Sequence, residues 1–314
     1  MSKNIGTDKE HYCSQIEGKD LPVFFQGWWL DIVSKERWQV VYYQESNAIK
    51  AVYTYFPKKK FGLNYVTMPH LTRFMGPYFL EDLPHRKKQK ILGKLLQALP
   101  AVDGFDQTLH YQLTDWLPYS WSGFVQTSKY SFVLKNISDS EQILEKMSAD
   151  YRNNKLPKSN ELLTLVEGQD LEDAMRCFLA PFERKKISVP FKENIVRKLI
   201  PSLVEQEAGN IFGMKDQEGT IVANALVVWD KQAAYLLLRG EDADKRNGYA
   251  GIGLIWNLCK HLGARGISTF DFLGSMNKNI AKVRSDFGAK QVTYFQVRKD
   301  KPMIAMMKRL KRKS

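Results

Sequence analysis

Apolar residues along the chain alternate in some stretches and recur at helical spacing in others, and this pattern predicts an α/β mixture. Residues 38–43 and 48–56 are rich in β-branched and aromatic side chains and flank the polar turn Glu45-Ser46-Asn47, which predicts a hairpin. Lys58-Lys59-Lys60 reads as a basic loop after it. Pro84 precedes a predicted helix over 85–99, with Ile91, Leu92, Leu95, Leu96 and Leu99 on one face. Strands are expected at 108–112 and 130–134, separated by aromatic and proline-bearing loops around Trp116, Pro118, Tyr119 and Trp121.

Around residues 136–140 the sequence turns polar, and a domain boundary is expected there. A helix is predicted over 141–153, with Asp139 or Ser140 as its N-cap and Pro157 closing it. A strand (162–167), a helix (170–182), the basic segment Glu183-Arg184-Lys185-Lys186 and a helical stretch (191–207) with a break or kink at Pro201 follow. Residues 210–215, 220–229 and 233–239 read as strands, the last two as an antiparallel pair. The pattern then changes: a polar, glycine-rich segment (240–251), an amphipathic helix (251–263) built on Leu254, Ile255, Leu258 and Leu262, a strand (267–273), a helix (277–287) and a strand (291–297). The order hairpin, loop, helix, strand, helix, strand is echoed more weakly in the first part, as if one unit were duplicated.

Composition narrows the function classes. With 314 residues, 44% hydrophobic and 26% charged, the chain is expected to form two globular domains. The polar stretch 1–20 has no signal-peptide core, and the longest apolar run, 221–229, is broken by Asn224 and too short to span a bilayer. Cys13, Cys177 and Cys259 form no CxxC pair and the five histidines show no ligand spacing, which argues against disulfides and metal and for a reducing cytoplasm. Cys177 and Cys259 fall on apolar helix faces, so burial is the preferred reading over a covalent acyl-enzyme. The net charge of +13 attracts anions, whether nucleic acid, acidic lipid or phosphorylated small molecules. The densest cluster is the tail 308–313; its plain reading is a solvated terminal helix, and its functional alternative is a nucleic-acid or membrane-surface contact.

Three stretches carry candidate chemistry. In the first, a strand enters and a helix leaves the segment 239–253, and a helix N-terminus with its unpaired N–H groups suits a phosphate. Lys245, Arg246, Asn247, Gly248, Tyr249, Ala250 and Gly251 make up the expected cradle: the small residues allow close backbone approach and Lys245 and Arg246 add charge. The preceding hairpin excludes a Rossmann fingerprint, and no Gly-Lys-Ser/Thr follows to make a Walker A loop. In the second, Asp271 stands between Phe270 and Phe272 and points to the opposite face, either as a structural acceptor or as a site residue; Ser275 and Asn277 cap the next helix in the plain reading. In the third, Gly288 closes a helix and Tyr294 lies in the strand after it, a core aromatic or a general acid.

The spacing Lys245-x-x-Gly248-x-Ala250 is similar to the Q/R-x-x-G-x-G/A of GNAT acetyltransferases, with Lys at the first position. Residues Asp271-Phe272-Leu273-Gly274-Ser275, Phe287-Gly288-Ala289 and Tyr294-Phe295, together with Phe182-Glu183-Arg184 and Val189-Pro190, resemble tandem-GNAT acyltransferases, the group that includes the Fem-type peptidoglycan aminoacyl ligases. The resemblance covers the C-terminal part and is thin over the first third. It implies an α+β fold of two GNAT-like domains, each a mixed, mostly antiparallel sheet flanked by helices. The expected domains are residues 1–137, a degenerate unit that shapes the acceptor pocket, residues 138–299, the unit with the donor loop, and a basic tail over 300–314. It also implies acyl-CoA as co-substrate, with no metal, and direct transfer of the acyl group to an amine of a sugar, peptide or amino-acid derivative. Asp271 is then the first candidate base, Glu241 the second, Tyr294 a candidate acid, and Arg184 and Ser275 acceptor-binding residues. Two alternatives stay open: a tRNA-dependent aminoacyl ligase, which the basic charge favours, and a catalytically inactive GNAT pair serving as a binding module. DNA is not expected as a partner.

Overall fold

The first apolar runs form β1 (Ile5–Gly6), α1 (Lys9–Ile16), a 3-10 turn (Val23–Phe25) and α2 (Gly27–Ser34). Then come β2 (Gln39–Glu45), β3 (Ala48–Lys60), β4 (Leu63–Thr67), β5 (Gly76–Phe79), α3 (His85–Ala98), β6 (Gly104–Thr108), α4 (Leu117–Trp121) and β7 (Val125–Lys135). The second half runs α5 (Ser140–Lys146), a π-helical turn (Tyr151–Lys155), α6 (Leu156–Leu162), β8 (Leu163–Glu167), α7 (Leu171–Lys185), α8 (Glu193–Glu205), β9 (Gly209–Asp216) and β10 (Ile221–Trp229). It closes with β11 (Ala233–Glu241), α9 (Ala250–Ala264), β12 (Thr269–Asp271), α10 (Lys278–Asp286), β13 (Lys290–Asp300) and α11 (Pro302–Lys311). This computed structural model describes residues 4–274 and 276–311. The chain divides into unit 1 (Met1–Lys129 and Thr293–Ser314) and unit 2 (Tyr130–Val292).

In unit 1 the strand order is β1-β2-β3-β4-β6-β13, with β5 also on β3. Alternate residues of β2 and β3, among them Val41 and Tyr53, meet Ile91, Leu92 and Leu95 from α3 and Phe105, Leu109, Tyr119 and Val297 in one apolar core. Tyr53 and Tyr119 are fully buried, and their hydroxyls satisfy each other: Tyr119 donates to Tyr53 at 2.9 Å, and Tyr53 donates to Gln107 Oε1 at 3.1 Å. The strand at the C-terminal end returns to this unit, with Gln296 opposite Thr108 and Asp300 opposite Gly104.

In unit 2 the order is β7-β12-β11-β10-β9-β8, antiparallel except for the parallel pair β11–β12. Helix α9 covers one face with Leu254, Ile255, Leu258 and Leu262, against Phe212, Ala225, Val227 and Phe270. Helix α7 packs on β11 so closely that a Cβ on Gly240 would overlap the Cys177 carbonyl. Only glycine fits that contact, which is backbone against backbone.

Several sequence expectations shift. Lys58, Lys59 and Lys60 are not a loop but the end of β3, paired with β4, whose short run Leu63–Thr67 gives little signal. The strand expected at 108–112 lies at Gly104–Thr108, because Phe105 and Gln107 are the inward positions. The helix expected over 141–153 breaks at Met147 and resumes as the π-turn and α6. Pro157 lies in the first turn of α6 rather than ending a helix, a position where the missing N–H costs nothing. The strand expected over 267–273 is only Thr269–Asp271, because Leu273 (φ +54°) and Gly274 (φ +72°) bend the chain sharply after it. Asp170 is the N-cap of α7 rather than its first residue, and α8 runs through Pro201 without the expected break. No helix among the described residues is long and apolar enough to cross a membrane.

Candidate functional site

The parallel pair at the centre of unit 2 opens partway along. Ala233, Ala234 and Tyr235 of β11 lie opposite Thr269, Phe270 and Asp271, where β12 ends. From Leu236 to Glu241, β11 continues with only β10 beside it in the ladder. The backbone edge on the β12 side therefore has no strand partner among the described residues over that length. Within the same stretch β11 carries a bulge: Leu226 pairs with Leu238, but Val227 pairs with Leu236, so Leu237 is the extra residue. A bulge leaves its extra residue outside the ladder and re-aims its backbone groups.

Asp242 turns the chain at the end of β11. It is buried; its Oδ1 accepts from the Asp244 and Lys245 amides at 2.9 and 3.2 Å, and its Oδ2 lies 3.4 Å from Arg176 Nη1. Asn247 then starts α9, its Oδ1 accepting from the amides of Tyr249 and Ala250 at 3.1 and 2.7 Å. Glu241 bridges Arg239 and Arg246, contacting Arg239 Nη2 through Oε1 and Arg246 Nε at 3.3 Å through Oε2. Both its oxygens thus hold guanidiniums, which stand over the start of α9: a Cβ on Gly251 would collide with Arg239 Nη2.

Lys245 occupies a different place from the one its position in the spacing predicts. Its ammonium binds Asp216 Oδ2 at 3.0 Å, Glu218 Oε2 at 2.8 Å and Thr220 Oγ1 at 3.1 Å, tying the loop to the β9–β10 turn. Glu218 and then Asp216 raise its pKa, and Lys245 in turn holds the Asp216 carboxyl below its ordinary value. Other cations surround the loop instead. A Cβ on Gly248 would lie 3.0 Å from Lys155 Nζ, and Lys158 Nζ sits 5.1 Å from the Tyr249 ring centre. The π-turn delivers Lys155; such turns, with one residue too many for an α-helix, are frequent at functional sites. Tyr151, in the same turn, has its phenol pushed up to about 12, mainly by burial, with the Asp286 charge adding and Arg239 opposing. Sequence reasoning missed Lys155, Lys158 and Arg239. Lys155 and Lys158 carry no local signal, while Arg239 was legible as the last predicted strand residue before the loop.

Asp271 is fully buried at the point where β11 and β12 part, opposite Tyr235. Its Oδ1 accepts from Ser131 Oγ at 2.5 Å and from the Leu273 amide at 2.7 Å. Phe270 and Phe272 lie on the α9 side, their ring centres 5.2 Å apart. Arg184, in the last turn of α7, is exposed and makes no ion pair among the described residues. Ser275 lies outside the described residues. Tyr294 belongs to unit 1, buried with Phe74 edge-on at 5.5 Å and the Arg73 guanidinium 5.4 Å from its ring centre. So Glu241 and the segment 245–251 come together at the start of α9, and Asp271 stands on the adjoining strand. Burial pushes the Cys177 and Cys259 thiols up, away from the thiolate form a nucleophile needs.

An opened parallel pair, a bulge on its longer strand and a basic turn into a helix N-terminus coincide with a sequence-family match. Residues 148–280 match the family model described as an acetyltransferase (GNAT) domain. This part of the chain is a GNAT domain. The GNAT fold extends beyond that span. A structure of FemX superposes with a TM-score of 0.69 at 12% identity, covering 92% of this chain and 95% of that one. The C-terminal domain of a putative lysylphosphatidylglycerol synthetase from Agrobacterium fabrum gives 0.59 at 13% identity, covering 95% and 94%. L-PGS from Bacillus licheniformis gives 0.57 at 12%, covering 92% and 91%. No curated protein matches the sequence. The α+β class with two GNAT-like units is the one expected, and acyl transfer is the chemistry that goes with it.

Proposed function

We propose that this GNAT protein transfers an acyl group from an acyl-CoA thioester directly to an amine, with the donor held in unit 2. One observation carries the reading: beyond Tyr235 and Asp271 the pairing of β11 with β12 stops, and β11 runs on into the turn that starts α9, where Lys155 lies at Gly248 and Arg239 at Gly251. A slender thioester arm fits along such an unpaired strand edge, and its diphosphate suits a helix N-terminus with cations beside it. Glu241 holds Arg239 and Arg246 in place there until the donor binds.

In the transfer, the acceptor nitrogen attacks the thioester carbonyl, the C–N bond forms, and the C–S bond breaks with the electron pair leaving on sulfur. The bulge at Leu237 supplies the backbone N–H that polarises the carbonyl. We assign the acceptor's proton to Asp271, the last residue of β12 to pair with β11; Glu241 serves as the arginine clamp. A thiol of ordinary pKa near 8.5 needs no dedicated acid on leaving, so Tyr294 carries no step here. Unit 1, which lies outside the family match, is assigned to shaping the acceptor pocket, and Arg184 to an anionic part of the acceptor.

A second reading has specific support: the net charge of +13 and the whole-chain likeness to FemX favour an aminoacyl-tRNA as donor. Thermal unfolding separates the two. A ligand specific to the folded state, at ~100 times its Kd, adds about 2.7 kcal/mol. Acetyl-CoA, a long-chain acyl-CoA and free coenzyme A are compared with tRNA, each with wild type and Gly248→Glu, which sets a carboxylate beside Lys155. A thioester-dependent shift that Gly248→Glu removes supports the first reading. A shift with tRNA alone replaces it with the second, and no shift with either ends both.

A further inference from the structure

The β3–β4 hairpin of unit 1 ends in a two-residue turn, with Lys60 opposite Leu63 and Phe61 and Gly62 between them. Both have positive φ, +52° for Phe61 and +74° for Gly62. Such a turn favours Asn, Asp or Gly, and an aromatic residue in the left-handed region is strained. The β2–β3 hairpin of the same unit provides an internal comparison: its turn, also with positive φ at both positions, uses Ser46 and Asn47. Phe61 recovers nothing by packing, since it is 88% exposed, more than any other large hydrophobic side chain described. A strained, exposed aromatic at a hairpin tip costs stability, so its use must lie outside the fold of this chain.

The surroundings identify the use. Lys58 and Lys60 lie on one face of the strand and Lys59 on the other, so positive charge stands on both sides of the tip. None of the three forms an ion pair among the described residues; the Lys60 ammonium lies 5.0 Å from the Phe61 ring centre. Asp103 links this hairpin to the start of α11. Its Oδ2 accepts from the Asn64 amide, its Oδ1 pairs with Lys301 Nζ, and its carbonyl accepts from the Lys301 amide, each at 2.8 Å. In α11, Ile304 is buried, whereas Met303, Met306 and Met307 are 54%, 60% and 47% exposed. Their i, i+3, i+4 spacing makes one uncovered apolar stripe, and the sequence continues into the basic run 308–313.

We propose that the Phe61 hairpin tip and the Met303–Met306–Met307 stripe form a docking surface for an anionic lipid bilayer. Phe61 and the methionines enter the headgroup–acyl boundary, and Lys58, Lys59 and Lys60 lie against the anionic headgroups. An aromatic and flexible thioethers flanked by unpaired lysines match a surface that is apolar beneath and negative above. This inference stands apart from the donor assignment, since every residue it uses lies in unit 1.

The full chain is tested by flotation with vesicles of phosphatidylglycerol and phosphatidylcholine in equal parts, and with phosphatidylcholine alone. The decisive variant is Phe61→Asn. Asn is favoured at this turn position, so it preserves or improves the fold, and a thermal melt checks this. Wild type is expected to float with the anionic vesicles, less so as salt rises, and Phe61→Asn to partition at least about tenfold more weakly. Met306→Gln is expected to weaken binding in the same direction. Equal partitioning of wild type and Phe61→Asn, equal binding to neutral vesicles, or no flotation of wild type would overturn the proposal. So would a Phe61→Asn loss confined to single-stranded RNA in an anisotropy titration, or confined to self-association in sedimentation.

Discussion

His110 should make unit 1 lose stability in mild acid. The side chain is buried among Phe74, Tyr111 and Tyr78, with ring centres at 5.0, 4.3 and 5.8 Å. Its Nδ1 accepts from the Gln112 amide at 3.3 Å, so the proton of the neutral ring sits on Nε2, which has no partner among the described residues. Burial without an acidic neighbour pushes its pKa down from 6.5 to about 3. The unfolded chain therefore binds a proton as pH falls through about 6.5, while the folded one stays neutral to about 3. Stability is full above about 6.5 and falls by up to about 1.4 kcal/mol per pH unit below it. Between pH 7 and 5 the loss works out at about 2 kcal/mol, before most carboxylates begin to titrate. Urea melts at the two pH values measure it, with Trp28, Trp29, Trp38, Trp116 and Trp121 of unit 1 as fluorescent reporters. In His110→Asn, whose Oδ1 replaces the Nδ1 acceptor, overall stability shifts, but the pH 7-to-5 difference should shrink by that ~2 kcal/mol. An undiminished difference in the variant would refute the assignment.

Two glycines should separate stability from donor binding. Gly240→Ala forces a methyl into the Cys177 backbone and should cost about 1–3 kcal/mol or more in a melt. Gly251→Ala displaces only the ends of the Arg239 and Glu241 side chains; its melting temperature should stay close to wild type while acyl-CoA affinity drops, as calorimetric titration can check. Asp271→Asn should lower kcat by about 10²–10⁴ with little change in donor affinity if the carboxylate takes the amine proton, whereas equal kcat would remove it from the mechanism. Lys245→Met should weaken the depression of the Asp216 carboxyl, leaving the part due to the Thr220 and Glu218 amides. The stability this carboxylate contributes is present above its unfolded pKa and lost as pH falls through the lower folded one, so the variant should lose less stability on acidification.

Much of unit 2 was legible because its signals are local. The pair 220–229 and 233–239 and the helix after the glycine-rich segment each carry their own periodicity, and the observed strands and helix differ from them by a few residues. The turn into α9 was legible for the same reason, since Gly248 and Gly251 mark a close approach whatever approaches. What approaches was not legible. Lys155 reaches Gly248 because the helix expected to end near 153 becomes a π-turn and continues, a choice made by packing against α9 rather than by propensity. Lys245 fits the family spacing, yet its ammonium is taken by Asp216 and Glu218, acids of the adjoining β9–β10 turn. The opening between β11 and β12 depends on where β12 stops, and the Leu273–Gly274 bend that stops it looks like ordinary strand in the sequence.

The return of residues 293–314 to unit 1 bears on how the chain is made. Unit 2 is one continuous segment and can close as soon as it leaves the ribosome. Unit 1 emerges first but must wait: Val297 is part of its core, and the edge of β6 has no partner until Gln296–Asp300 arrive. At synthesis rates of about 5–20 residues per second, the first 129 residues spend on the order of ten seconds with that edge open while unit 2 is translated. An early stop just after unit 2 would thus damage the N-terminal half of the protein more than the half it directly follows.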